Sequence, residues 1–243
     1  MYYSGRAETR MVTPVDAELR KEPSAWTSAY THPSQVRRRR ATITKKLDLL
    51  GISRANRGSA VLDLCCGNGE TLETLYALGF RSLQGLDIEV PGALQADTRF
   101  RTLLGDAAAI PLATSSVDWV LLIDSLHHLG PLSHIDAVLS ECHRVLKAGG
   151  RLGIVDFPSS PQVRLAFWFF RQRVGLWTPY LKSFGAMVEE EWCFLSGYLA
   201  DWPAVDRRLR NGLFETESIK RGLIHFFWTL RKATGAKDLR VPR

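Results

Sequence analysis

Val61-Leu62-Asp63-Leu64-Cys65-Cys66-Gly67-Asn68-Gly69-Glu70 carries the strongest chemical signal in the sequence. A short apolar run ends in a Gly-x-Gly loop, and a helical pattern starts directly behind it. Glycines at 67 and 69 remove side chains where backbone must approach a ligand closely. Asp87 closes the next apolar run, where a carboxylate accepts both hydroxyls of an adenosine ribose. Together these residues describe a nucleotide-type cofactor site at the carboxyl edge of an open α/β sheet. A dinucleotide does not fit. Its fingerprint calls for a third glycine where Leu72 stands, and Glu70 places negative charge where a pyrophosphate would meet the helix N-terminus. A cofactor with an adenosine and no phosphate removes that conflict.

The elements that position these groups follow from periodicity. Residues 60–64, 83–88, 101–104, 117–123 and 151–156 read as strands, and 70–78 and 135–146 as helices, the second stopped by Gly149-Gly150. Strands alternating with helices imply right-handed crossovers and a mostly parallel sheet covered on both faces. The stretch 92–99 is only weakly helical. Ahead of this core, 1–33 reads as a loose lead-in with a short helix near 14–21. Ser34 then caps a helix over 35–50 that Gly51 closes. Behind the core, 161–200 is rich in aromatics and reads as two or three short helices, and 202–210 as a separate amphipathic helix. Residues 214–219 and 223–230 read as two strands around a tight Arg221-Gly222 turn, and the tail from Ala233 as frayed.

With its elements placed, the sequence resembles the class I S-adenosylmethionine-dependent methyltransferases. VLDLCCGNGE is similar to their first motif and GLDIE (85–89) to their ribose-binding acidic motif. LLGDAAAIPLATSSVDWVLLIDSLHHL (103–129) resembles their adenine loop and fourth strand, and LSECHRVLKAGGRLGIVDF (139–157) the helix, Gly-Gly turn and fifth strand. The fold this implies is α/β and Rossmann-like: a doubly wound, seven-stranded mixed sheet, mostly parallel with an antiparallel last strand. A helical lid is inserted between strands 5 and 6. The implied divisions are 1–58 as lead-in and basic helix, 59–158 as the S-adenosylmethionine-binding core, 159–200 as the aromatic lid, and 201–243 as completion of the sheet and tail.

The resemblance implies that Asp63 and Gly67 hold the methionine amino and carboxylate groups. It implies Asp87 on the ribose, Asp106 with Ala107 at the adenine, and Asp124-Ser125 near the sulfonium. Cys65, Gly69 and Ile88, in the same motifs, complete the expected cofactor-binding set. A cationic sulfonium and a zwitterionic methionyl group suit a site lined by carboxylates. Methyl transfer is an in-line displacement, so the protein mainly aligns donor and acceptor. Where the acceptor is a phenol or alcohol a general base adds rate. His127 and His128, just past the fourth strand, are the expected base, since imidazole titrates near neutrality. No metal is expected: the four cysteines show no C-x-x-C, and Cys65-Cys66 have no metal-ligand spacing.

The closing hairpin and the insert look like those of ubiquinone/menaquinone-biosynthesis methyltransferases. That family's Arg-Asn pair after the fourth strand is replaced here by Leu126-His127-His128-Leu129. The aromatic insert points to a hydrophobic small-molecule acceptor: a quinone precursor, a phenol or another lipophilic natural product.

The chain of 243 residues carries 32 Lys+Arg against 25 Asp+Glu, a formal net charge of +7, with 45% apolar residues. That composition excludes intrinsic disorder. The lack of an apolar run of spanning length and of a secretory signal at the N-terminus predicts a cytoplasmic protein. The positive charge flanks the neutral core, in Arg37–Arg40 and around the insert. This favours peripheral contact with an anionic membrane over nucleic acid. An RNA methyltransferase lacks support, since no Asn-Pro-Pro-Tyr-type motif or Pro-Cys loop occurs. A non-catalytic cofactor-binding module is the third alternative.

Overall fold

A computed structural model describes residues 33–172, 179–210 and 212–233. Seven strands form one sheet: β1 (Ala60–Leu64), β2 (Ser82–Asp87), β3 (Arg101–Leu104), β4 (Val117–Ile123), β5 (Leu146–Asp156), β6 (Glu215–Arg221) and β7 (Phe226–Arg231). Their order is β3-β2-β1-β4-β5-β7-β6. Neighbours from β3 to β5 pair in parallel, and β7 runs antiparallel to both β5 and β6. This is the mixed sheet the sequence predicts, with its last strand reversed.

Alternation along the strands builds two apolar layers. Leu62, Leu64, Val120, Leu122, Leu152 and Ile154 face one side, and Val61, Trp119, Leu121 and Val155 the other. Helix α1 (Pro33–Leu50) covers the second layer with Ile43, Leu47 and Leu50, beside α2 (Glu70–Ala77) and the single turn α3 (Gly92–Gln95). The first layer is covered by α4 (Leu132–Val145), α5 (Pro161–Arg171) and α6 (Pro179–Leu209). Because β1 lies between β2 and β4, the chain reverses its direction of winding there. The carboxyl ends of β1 and β4 therefore border the crevice where open α/β sheets bind ligands.

Several expected boundaries move, each for a local reason. Helix α1 begins at Pro33, so Ser34 lies within it rather than capping it; proline suits a first helical position. Gly149-Gly150 do not separate a helix from a strand. Helix α4 ends at Val145 and β5 starts at Leu146, running through both glycines with a register irregularity opposite Val117/Trp119. The turn between β6 and β7 is wider than expected, spanning 222–225 and closed by the Gly222 N–H donating to the His225 carbonyl at 2.7 Å.

The largest difference is α6, one continuous helix where short ones are predicted, crossing residues 200–201 and containing Pro203. Proline has no N–H for the Leu199 carbonyl four residues back. The Arg164 guanidinium donates to that carbonyl instead, at 3.1 Å, so the helix passes through its proline with the acceptor satisfied. The expected helix near 14–21 and the tail beyond Ala233 fall outside the described residues, as do the side chains of Trp177, Tyr180 and Phe184.

The basic face of α1 stays largely exposed, with some of its charges paired to the core. Arg39 pairs with Glu70, Arg40 reaches Glu73 at 3.2 Å, and Lys46 pairs with Asp124 at the end of β4. Among the described residues no helix is long and apolar enough to cross a membrane.

Candidate active site

The loop after β1 turns through three left-handed residues: Cys65 (φ 56°), Gly67 (φ 48°) and Gly69 (φ 79°). At Gly69 a Cβ would also lie 2.6 Å from Leu94 Cδ1. The loop is splinted from β2. Asp87 accepts the Gly67 N–H at 2.8 Å through Oδ2 and the Glu89 N–H at 3.1 Å through Oδ1. Asp63 sits in β1, where burial and then the nearby Asp87 charge push its carboxyl well above the ordinary range. Burial pushes the Cys65 thiol up to about 12, so it stays protonated and inert as a nucleophile.

Past β2 and β3, Ile88 and Leu104 stand 71% and 68% exposed at adjacent strand ends, two apolar side chains open to a planar ligand. Beside them Asp106 accepts the Ala108 N–H at 2.8 Å and faces His134 Nε2 at 3.3 Å, over the buried Ala107. Just past β4, Asp124 (φ 55°) is half-buried, and the loss of solvent opposes ionisation. Lys46 and His225 override this and hold its carboxyl far below the usual range. Asp124 Oδ1 and Ser125 Oγ are buried without a hydrogen bond among the described residues.

All ten expected cofactor residues thus lie along the carboxyl edges of β1 to β4. The donor set suits an adenosyl amino acid: Asp87 for vicinal hydroxyls, an apolar slot beside Asp106 for a base, and Asp63 with the Ser125 hydroxyl for a cationic end.

The two histidines occupy a single 3-10 turn, Leu126–His128, which follows β4. Asp156, wholly buried at the end of β5, accepts the His127 backbone N–H at 3.0 Å and lies 2.9 Å from its Nδ1. It also accepts the Phe157 N–H at 2.8 Å. This fixes the ring with Nε2 pointing away from β5, and that Nε2 is buried with no hydrogen bond among the described residues. From α6, Glu191 stands 3.7 Å from His127 Nε2 and 3.5 Å from His128 Nε2. Burial alone would lower the His127 pKa; Asp156 and Glu191 outweigh it and raise the imidazole to about 10. The histidines in turn hold Glu191 down at about 2, against its own burial. Aromatic rings close the cluster: Phe157 5.9 Å and Tyr198 6.1 Å from His127, and Phe194 5.3 Å from His128.

Sequence reasoning nominated the histidines without their carboxylates. Asp156 was visible as an acid ending a buried strand. Glu191 hid in the run Glu189-Glu190-Glu191, yet the spacing of Val188, Leu195 and Tyr198 puts it on the buried stripe of α6. Lys46 and His225, facing Asp124, gave no local signal.

The sheet order, the glycine loop and the acids beyond it define the class: an open α/β protein with a nucleoside-type site at its topological switch point. Residues 62–154 match the methyltransferase domain family. The 27-O-demethylrifamycin SV methyltransferase of Amycolatopsis mediterranei is 31% identical over 118 residues, 45% of this chain and 42% of that protein. A demethylmenaquinone methyltransferase of Beutenbergia cavernae is 32% identical over 169 residues, 68% of this chain and 65% of its own. The match to such relatives thus spans about half to two thirds of their length. Among solved structures, Burkholderia thailandensis 1,6-didemethyltoxoflavin-N1-methyltransferase, crystallised with 1,6-didemethyltoxoflavin and S-adenosylhomocysteine, superposes with a TM-score of 0.55. It is 18% identical and covers 86% of this chain and 85% of its own. The chain carries a class I S-adenosylmethionine-dependent methyltransferase domain.

Proposed function

We propose that the protein transfers a methyl group from S-adenosylmethionine to a hydroxyl of a hydrophobic small molecule, a phenol, quinol or related natural product. The observation that carries this is His127: anchored on Asp156 through Nδ1, presenting a buried Nε2 that faces only the Glu191 carboxylate at 3.7 Å among the described residues, and packed against Phe157 and Tyr198. The methyl donor supplies a carbon activated by its sulfonium, and the C–S bond breaks as the C–O bond forms. The chain aligns acceptor and donor, which supplies about 7–11 kcal/mol where geometry is good. His127 Nε2 receives the hydroxyl proton, and Asp156 stabilises the imidazolium so formed; such a base contributes about 10²–10⁴-fold. Asp63, Cys65, Gly67, Gly69, Asp87, Ile88, Asp106, Ala107, Asp124 and Ser125 hold the donor, with His128 lining the acceptor side. The relatives named for 27-O-demethylrifamycin SV and demethylmenaquinone support an extended, oily acceptor.

Incubation with methyl-labelled donor and a panel of naphthols, quinols, phenols and transfer RNA tests the reading. Label on an aromatic hydroxyl, lost in His127→Gln, is the expected result. Label on RNA transfers the protein to the RNA class. Donor binding with no turnover on lipid extracts makes it a binding module. Either outcome refutes the proposal.

A second reading concerns where the acceptor is met. Helix α5 turns Leu165, Trp168 and Phe169 outward at 55%, 52% and 44% exposure. Arg164 and Arg171 flank this face, although Arg171 also pairs with Glu189 and stacks on Trp192. Such a face suits shallow insertion at a membrane surface. Sedimentation with phosphatidylglycerol vesicles, reduced in Trp168→Ser/Phe169→Ser, is expected; equal binding by the variant excludes α5 as the contact.

A further inference from the structure

Glu191 is a buried acid that the proton-transfer scheme leaves unused. It interrupts the apolar stripe of α6 between Val188 and Leu195, on the face turned to the two histidines. Its separations of 3.7 and 3.5 Å from their Nε2 atoms exceed the roughly 2.7–3.2 Å of an N–H···O hydrogen bond. The contact is therefore a charge pair with space between its members.

We propose that Glu191 is a positioning residue that latches the lid helix onto the base and keeps His127 protonated until an acceptor hydroxyl takes the carboxylate's place at Nε2. This rests on the reading of His127 as the base. The groups facing the imidazole are Asp156 from β5, Glu191 and Tyr198 from α6, and His128 on its own turn. With two carboxylates on one ring, the proton stays. A base must be neutral when it acts, so one carboxylate has to leave. Asp156 cannot: it is wholly buried and also accepts the backbone N–H groups of His127 and Phe157. Glu191 can, because it belongs to the lid. As Glu191 swings away the Nε2 proton leaves with it to solvent; a neutral hydroxyl arriving in its place keeps the proton affinity of His127 low, so Nε2 is free to take the hydroxyl proton while Asp156 orients Nδ1. Until then a protonated ring cannot activate water against the bound donor, so the latch also protects the donor from hydrolysis.

Histidine-ring NMR titration of the full chain tests this, with His128→Gln to assign the two rings. In Glu191→Gln the His127 midpoint is expected to fall by at least about one pH unit, a tenfold loss of proton affinity. Amides of α6 are expected to exchange faster while those of β1–β5 are unchanged. A structural role alone would loosen the helix without moving the midpoint. Glu191→Asp, which retracts the charge but keeps it, should give an intermediate midpoint and serves if the glutamine variant fails to fold. An unmoved midpoint in whichever variant folds overturns the proposal. So does stoichiometric binding of Zn²⁺ alone that is lost in Glu191→Gln, since the three side chains would then be a cation site. If instead His127→Gln leaves methyl transfer intact, the base reading fails, whatever Glu191 does to the titration.

Discussion

Replacing Asp63 with asparagine separates what the cofactor loop gives to binding from what it costs the fold. Asp63 is 2% exposed, and burial and the Asp87 charge push its carboxyl well above the ordinary range. The sign follows. The folded chain keeps this proton to a higher pH than the unfolded chain, so folding carries no penalty below the unfolded value near about 3.9. From there up to the folded value, stability falls by about 1.4 kcal/mol per pH unit, and beyond it the loss is constant. An amide of the same shape has no charge to bury. Asp63→Asn is therefore expected to equal wild type in acid and to exceed it in alkali, by on the order of 1–3 kcal/mol, the desolvation penalty of a buried polar group.

Binding moves the other way. An ammonium group beside Asp63 draws the carboxyl into its ionised form and expels the proton. Wild-type affinity for S-adenosylhomocysteine should then rise with pH, while that of Asp63→Asn stays flat. Loss of a charge-assisted hydrogen bond of about 1.5–3 kcal/mol weakens binding roughly 10- to 100-fold. Urea denaturation from pH 5 to 9, paired with calorimetric titration of S-adenosylhomocysteine, measures both. Parallel stability curves for the two proteins, or equal affinities, would refute the reasoning.

Three further outcomes are expected. Asp156→Asn should lower methyl transfer by about 10²–10⁴-fold while leaving the thermal shift by S-adenosylhomocysteine intact, because it disables the base without touching the donor site; equal losses in both would show only unfolding. Gly69→Ala should destabilise by at least about 1–2 kcal/mol from its left-handed φ. Adding Leu94→Ala should relieve the 2.6 Å Cβ contact and leave the backbone cost, as a double-mutant urea cycle would reveal. On α1, Leu47→Ala should cost about 2–5 kcal/mol and Arg39→Ala no more than about 1, since the Arg39–Glu70 pair is about one third exposed. The reverse ranking would mean that charge, not apolar packing, seats the helix.

The cofactor half of the site was legible because it is local. Each strand end carries its own acid within a few residues of the strand's last apolar position: Asp87 ending β2, Asp106 after β3, Asp124 after β4. One strand–loop–helix pattern then locates the whole edge. The pairing of the basic run is not local. Arg39 and Arg40 look solvated in sequence, but their partners Glu70 and Glu73 lie on α2, and only the docking of Ile43, Leu47 and Leu50 brings them together.

The acceptor half is not local, and α6 shows why. Glu191 meets His127 only if the helix keeps its phase from the lid to the sheet, with Val188 and Leu195 on one side of it and Val205 and Leu209 anchored beyond Pro203. Read alone, Pro203 ends a helix, and with separate short helices nothing relates position 191 to the histidines. Across the proline, Arg164, on a different helix, takes up the Leu199 carbonyl that is left free. The proposed base, its orienting carboxylate and its proposed latch thus come from a 3-10 turn, a strand end and a helix bridged at its proline by one guanidinium. Arg164→Leu should accordingly shift the His127 titration although the side chain touches neither histidine, and an unchanged titration would mean that the lid's own packing keeps Glu191 in place.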